Sequence, residues 1–388
     1  LRLILTKGIK MKRKILRIVL IVFGVLFLIF TISGPILNKM GIVPLICISG
    51  DFPDLKIGPC DAQVDHASTV TPLPLPTALE NPIPLIFDDD GSPDGMMALL
   101  YFLQNPNYDV KAVTISQGEA HPQLFANHMA QLLADLGRAD IPVGYGRAIP
   151  LDGENAFPEP WRDGSDQLFG IQLENNGNPI TPRPASDLIL EILSKSSQPV
   201  MMFVSGTHTN LAEVLRINPD IKQKIASVYV MGGAVHVPGN IKHDWPEINN
   251  TVAEWNIWVD PMAAHEVFTS GLEIHLVPLD ATNQITWSAK DIRKWTKSDT
   301  SEAILAGNFA EIMLSMSPNN KAIIWDLVTA AVATDASLCP QVQLSLDVNI
   351  QPGPDQGQTI LVNEPANIWV CLEPNANQIR SRVEAIFN

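Results

Sequence analysis

Residues 84–103 read PLIFDDDGSPDGMMALLYFL. An apolar run ends in three consecutive aspartates, Asp88, Asp89 and Asp90. A Gly-Ser-Pro turn follows, then Asp94, Gly95 and a second apolar stretch at helical spacing. This is the junction of a strand with a helix. In extended chain Asp88 and Asp90 point one way and Asp89 the other. Asp94 falls at the start of the helix, where the positive helix end favours a carboxylate. Clustered carboxylates repel one another, so the group is costly unless a cation or polar ligand occupies it. Hard oxygen ligands suit Ca²⁺ or Mg²⁺. Taken alone, the same residues also fit a helix cap followed by a solvated acidic loop.

Strands and helices alternate outward from this junction. IPLIF reads as a strand and residues 94–103 as a helix. VKAVTI is a second strand, QLFANHMAQLLADLG an amphipathic helix ending at Gly137, and IPVGYG a third strand. Residues 185–194 are helical, PVMMFVS is a strand, and TNLAEVLRINP is a helix stopped by proline. IASVYVMGG is a strand, DPMAAHEVFTSG a helix and LEIHLVPLD a strand. Near-continuous apolar strands between helices specify an α/β fold with a mostly parallel central sheet and helices on both faces. Ligands of such sheets collect at the carboxyl ends of the strands, where the aspartates lie.

The chain has 388 residues, 26 basic and 41 acidic, for a net charge of −15. Seven of the basic residues fall within residues 1–17, which leaves −22 on the remainder. A body this acidic repels nucleic-acid backbones, so no nucleic-acid partner is expected. Residues 1–14 form a basic end and residues 15–37 an apolar segment, uncharged from Ile18 to Leu37. About 20 apolar residues can span a bilayer, and the preceding lysines and arginines favour a cytoplasmic N-terminus. The expectation is a transmembrane helix that tethers an extracytoplasmic domain, with secretion after signal cleavage as the alternative. Residues 38–82, which include TPLPLPTALENPIP, read as a Pro-rich stalk, and residues 83–388 as the globular domain. Cys47, Cys60, Cys339 and Cys371 contain no C-x-x-C pair, so a zinc cluster is not indicated. In an exported chain Cys47 and Cys60 could close a short disulfide loop; Cys339 and Cys371 fit buried free thiols equally well.

Five segments carry a family resemblance. DDDGSPDGMMALL resembles the opening D-x-D-x-x-x-D-D motif of the nucleoside hydrolases of inosine-uridine type. VSGTHTNLAEVLRINPDI, VYVMGGAVHVPGNI, AEWNIWVDPMAAHEVF and IIWDLVTAAVATD are similar to four later motifs of that family, in order, over residues 84–340. The tryptophans of AEWN, IIWD and FPEPWRDG are most similar to the purine-preferring inosine-adenosine-guanosine branch.

The resemblance implies a Rossmann-like fold, one Ca²⁺ per site and hydrolysis of the N-glycosidic bond of purine ribonucleosides to base and ribose. It implies that Asp90 is a calcium ligand and the base that activates the bound water. Asp326 and the Ser205 carbonyl would complete the ligands, with Asp88 in support. Asp94, Glu254 and Asn256 would grip ribose hydroxyls, and Asn240 would reach the 5′ end. Trp161 and Trp325 would sandwich the base, and Trp255 would close the sugar pocket. His208, His236 and His243 read as surface or polar-cluster histidines. Homodimers or homotetramers are the family's usual assemblies.

Two departures qualify the match. Gly95 stands where the family has a second aspartate, so water or a rotated Asp94 or Asp88 would have to fill the gap. Glu119, in SQGEAHP, stands where the nonspecific branch has an asparagine beside the ribose. These departures keep two rivals open: a non-catalytic binder of ribosyl ligands with a degenerate metal site, and a hydrolase of another ribosyl compound.

Overall fold

The computed structural model describes residues 46–49, 56–59, 78–317 and 319–387. The chain divides into two units, residues 1–69 and 70–388. In the first, Ile46–Ser49 pairs antiparallel with Lys56–Pro59, which sets Cys47 opposite Gly58. Cys60, the apolar segment 15–37 and most of the stalk lie outside the described residues, so the expected anchor and the Cys47–Cys60 bond do too. Among the described residues no helix is long and apolar enough to cross a membrane.

The second unit is built on a nine-stranded sheet. In chain order its strands are β1 (Ile83–Asp89), β2 (Tyr108–Ile115), β3 (Val143–Tyr145), β4 (Arg183–Pro184), β5 (Val200–Val204), β6 (Ile225–Met231), β7 (Ile274–Val277), β8 (Gln341–Leu344) and β9 (Ile368–Cys371). Across the sheet they run β8-β9-β7-β6-β5-β1-β2-β3-β4. Every neighbouring pair is parallel except β8 with β9. Strands β1 to β4 grow outward in one direction, and the chain then returns to lay β5 on the other flank of β1. The order reverses between β1 and β5. Connections leave in opposite directions there, which opens a crevice at the carboxyl ends of the two strands.

The period of two in the strands sorts the core into two layers. Leu85 and Phe87 of β1 pack with Val113, Ile115 and Phe203 against one set of helices. That set includes α1 (Pro93–Gln104) and α2 (Pro122–Asp135). Ile86 faces the other way, with Ala112, Met202 and Val204, toward Leu188 and Leu211. Those two leucines lie on α3 (Ala185–Lys195) and α4 (Thr209–Ile217). Helix α1 starts cleanly: Pro93 occupies the first turn, and the Ser92 hydroxyl accepts the Gly95 N–H at 2.9 Å. Proline lacks the N–H that would go unpaired at this position, and serine satisfies another.

The structure departs from the sequence reading at several ends. Strand β1 continues past Phe87 to Asp89. LEIHLVPLD is strand only to Val277, and Leu279–Thr282 turns into a short helix. Beyond residue 340, where no element was expected, β8, β9 and the terminal helix Ala376–Phe387 complete the sheet edge and one face. Cys339 and Cys371 form a disulfide that ties the start of β8 to the end of β9, across 32 residues. Closing a loop of that length restricts the unfolded chain by about 3–4 kcal/mol in the chain-entropy picture. The double substitution Cys339→Ala/Cys371→Ala is expected to lower unfolding free energy by about 2–4 kcal/mol. Denaturant titration checks this; an unchanged midpoint would mean the bond carries no stability.

Candidate active site

The switch-point crevice is acidic. Ser205 follows β5, and its N–H donates to the Asp88 carbonyl at 2.8 Å, which continues the sheet ladder to the crevice floor. Beyond β1 the backbone breaks at Gly91, with φ +90°. Asp90 therefore lies outside the strand, and its carbonyl accepts the Ala120 N–H at 2.8 Å.

This break corrects the expected grouping of the aspartates. Asp88 obeys the pleat and points to the face of Ile86. There its carboxylate accepts from Thr114 Oγ1 at 2.5 Å and Asn210 Nδ2 at 2.7 Å. Asp89, expected to point away from the site, takes the face of α1 and joins Asp90, Asp94 and Asp326. The charges of Asp89, Asp90 and Asp94 raise the pKa of other members of the group, Asp326 among them. Asp90 would side with Asp88 only if extended chain continued, and the turn at Gly91 ends it.

Asp90 is 2% exposed. Its Oδ2 accepts the Glu119 N–H at 3.1 Å, and its Oδ1 is buried with no hydrogen-bond partner. Asp326 stands in the first turn of the helix Trp325–Thr334 and accepts from Ser92 Oγ at 3.1 Å. Its backbone N–H donates to Asp94 Oδ2 at 3.2 Å. Burial, reinforced by neighbouring negative charge, holds Asp90 and Asp326 well above the ordinary carboxylate range. Burial likewise raises Asp94, and it pushes Asp88 and Asp89 up to about 7. Glu119 keeps part of its surface and accepts from Ser165 Oγ at 3.3 Å. Burial first and the Asp94 charge second lift it to about 8.

Three glycines give these carboxylates their room. A Cβ on Gly118 would stand 2.3 Å from Asp90 Oδ2, one on Gly206 2.7 Å from the Asp90 Cβ, and one on Gly95 1.8 Å from Asp89 Oδ1. Among the described residues no group of three or more His, Cys, Asp or Glu stands in an arrangement that could hold a metal ion as it is. The chemistry of the set nevertheless fits a hard cation. It offers buried carboxylates that raise one another's pKa, an unpartnered oxygen on Asp90 and the Ser205 carbonyl close at hand. That carbonyl accepts Asn256 Nδ2 at 3.0 Å and keeps a second lone pair.

The remaining expected residues separate into two groups. Glu254 caps the short helix Trp255–Val259: its oxygens accept the N–H groups of Asn256, Ile257 and Gly233 at 3.0, 3.3 and 2.9 Å. Burial raises it to about 7. Asn256 also donates to the Met231 carbonyl at 3.2 Å. Asn240 starts the turn Ile241–Asp244, with its side-chain oxygen buried and unpartnered. Trp161 and Trp255 share an aromatic cluster, 5.4 Å apart, and Phe157 stacks on Trp255 at 4.7 Å. Trp325 is not in that cluster. It packs against Met231, Ala234 and Leu279 and donates from Nε1 to Asn283 at 2.9 Å. Of the histidines, His208 is neither at the surface nor in a polar cluster. It is fully buried, edge-on to Phe268, and burial pulls its pKa down to about 3. His236 and His243 are exposed.

A parallel-sheet α/β protein with buried acids at its switch point is the class that fold and site define. The model of the inosine-uridine preferring nucleoside hydrolases matches residues 85–381, and the chain belongs to that family. It is 30% identical over 284 residues to a pyrimidine-specific ribonucleoside hydrolase of Citrobacter koseri, an alignment that covers 72% of this chain and 88% of the relative. The inosine-uridine preferring nucleoside hydrolase of Bacillus anthracis superposes with a TM-score of 0.68 at 24% identity, covering 79% of this chain and 99% of that one. A purine-preferring ribonucleoside hydrolase of Gardnerella vaginalis gives 0.68 at 22% identity, covering 78% and 99%. The chain is thus an enzyme acting on N-glycosyl bonds, and the non-catalytic rival falls away.

The raised carboxyl pKa values set a pH dependence. A carboxyl whose pKa rises on folding keeps its proton in the native chain at pH values where the unfolded chain has lost it. Its contribution to stability is therefore present at low pH and is lost as pH climbs through about 7 to 8. In chelator, Tm is expected to fall between about pH 5 and about pH 8. Millimolar Ca²⁺ is expected to shrink that fall, because the cation then offsets the charge that protons had neutralised. Parallel unfolding scans test this, and identical slopes with and without Ca²⁺ would count against a cation site.

Proposed function

We propose that the chain is a calcium-dependent hydrolase of purine ribonucleosides that releases free base and ribose. The carrying observation is the burial of Asp90, Asp94 and Asp326 together at the β1–β5 switch point, with an unpartnered Asp90 oxygen. Ca²⁺ held by Asp90, Asp326 and the Ser205 carbonyl would offset the carboxylate charge and lower the pKa of a water beside it. Asp90 then takes the proton of the attacking water on its free oxygen. Asp94 accepts a hydrogen bond from the ribose 2′-hydroxyl. Asn256 offers its side-chain oxygen to the sugar, since its amide nitrogen is engaged, and Glu254 uses the lone pairs its caps leave. Asn240 offers its free oxygen toward the 5′ end. Water attacks the anomeric carbon as the sugar gains oxocarbenium character.

The departing base needs help that position 325 gives through an aromatic ring. Stacking on Trp161 and Trp325 is worth about 1–3 kcal/mol per base and suits the wide purine ring. A second reading, pyrimidine preference, is favoured by the name of the 30% identical relatives. The same proposal keeps the tether: residues 15–37 anchor the enzyme with its domain outside the cytoplasm.

Asp90→Ala is expected to lower kcat by about 10²–10⁴-fold, the range for loss of a general base, without unfolding the domain. Near-native turnover would remove Asp90 from the chemistry. Ribose release from inosine, guanosine, uridine and cytidine, with and without chelator, decides the base class. Faster turnover of uridine than of inosine would replace the purine reading by the second.

A further inference from the structure

Asp89 is the acid that the sequence pattern assigned to the wrong side. Its carboxylate fills the space in front of Gly95 so fully that any side chain at position 95 would collide with it, at 1.8 Å from Oδ1 and 2.8 Å from Oδ2. The residue is fully buried. Its charge bears on Asp90 and Asp326, and the charge of Asp94 bears on it. Its oxygens are oriented: Oδ1 accepts from Ser205 Oγ at 2.8 Å and Oδ2 from the Gly91 N–H at 2.7 Å. A carboxylate offers about four lone-pair positions, so each oxygen retains one. The unpartnered, buried Oδ1 of Asp90 is an independent sign that a ligand belongs here.

We propose that Asp89 is a metal ligand of this enzyme and supplies, from the strand end, the carboxylate that position 95 lacks at the start of α1. The proposal rests on the calcium-dependent reading above. It makes Gly95 a consequence of Asp89: the two positions exchange one acid between them, and the site keeps its charge. Ser205 then acts twice, with its carbonyl toward the ion and its hydroxyl fixing Asp89, as groups behind a metal ligand commonly do. The competing account is purely structural, with Asp89 serving only to satisfy the turn at Gly91.

Calorimetric titration with CaCl₂ separates these accounts, using the wild type, Asp89→Asn, Gly95→Asp and Asp89→Ser/Gly95→Asp. Asparagine keeps an acceptor for Gly91 but loses the charge. Asp89→Asn is expected to weaken Ca²⁺ binding by about tenfold or more, a scale reached even by residues that only support a metal ligand. Gly95→Asp alone is expected to bind no better than wild type, because its Cβ has no space. The double variant is expected to recover affinity to within about threefold of wild type, well inside that tenfold loss. If wild type binds Ca²⁺ and Asp89→Asn binds it equally tightly, the inference fails and the calcium-dependent reading stands. If wild type binds none up to about millimolar concentration, the weak end of protein calcium sites, both fail. Should the variants not fold, a wild-type crystal soaked in CaCl₂ decides. An Asp89 oxygen within about 2.6 Å of the ion supports the proposal, and an ion bound without one overturns it.

Discussion

The constraint on which the rest of this enzyme depends is mutual repulsion among buried carboxylates. Asp89, Asp90, Asp94 and Asp326 come from a strand end, a loop and two helix starts, and the charges of the first three raise the cost of ionising their neighbours. Such a group persists only where the surrounding chain fixes it. The fixing is visible in backbone donors. Gly91 holds Asp89, Glu119 holds Asp90, and the N–H of Asp326 holds Asp94. Ser92 serves two ends of the site, because its hydroxyl caps α1 and donates to Asp326. The junction that opens the helix is thereby joined to an acid that arrives late in the chain.

The sheet order explains why these elements meet. With β5 returning to the flank of β1, two strand ends diverge, and the residues just past each strand line the crevice between them. The aspartate run leaves β1, and Ser205 and Gly206 leave β5. Gly206 and Gly118 then become requirements of the acids. A methyl group at either position would meet Asp90 at 2.7 Å or less. The glycines that look like punctuation in the sequence are space reserved for carboxylates.

Much of this was legible in the sequence. Apolar runs such as PVMMFVS and IASVYVMGG carry the strand signal openly, and the helices after them carry clear stops, as at Pro219 and Gly271. The late strands were not legible. QVQL is a short, partly exposed edge segment and IWVC a short strand beside it, and their pairing is set by the disulfide and by distant partners. The site was half legible. Motif spacing pointed to Asp90, Asp94 and Asp326, and all three lie together. Asp89 was missed because alternation was carried one residue too far, past the point where Gly91 turns the chain. The same stretch carries an extra aspartate after Asp88 and a glycine after Asp94, and in the fold the Asp89 carboxylate occupies the space in front of Gly95. His208 was misplaced for a simpler reason. Nothing local marks a histidine as a core residue when its partner, Phe268, is 60 positions away.

The aromatic residues show where motif and geometry part. Trp161, Trp255 and Phe157 form one contiguous wall, while Trp325 leans on Met231 and Leu279 and is pinned through Asn283. Two separate aromatic surfaces would therefore border a base bound as proposed. Trp255 is held on both sides, by Phe157 and by its hydrogen bond to Asp244, so it suits the fixed end of the pocket. Trp161 rests on a short helix entered and led by proline, and that helix also brings Ser165 to Glu119. A base that presses on Trp161 presses on the segment that holds Glu119, and Glu119 donates its N–H to Asp90. If the base stacks on Trp161 as proposed, its choice and the position of the proposed general base would be connected through this one loop. Substitutions in FPEPWRDG should therefore be read in kcat as well as in KM.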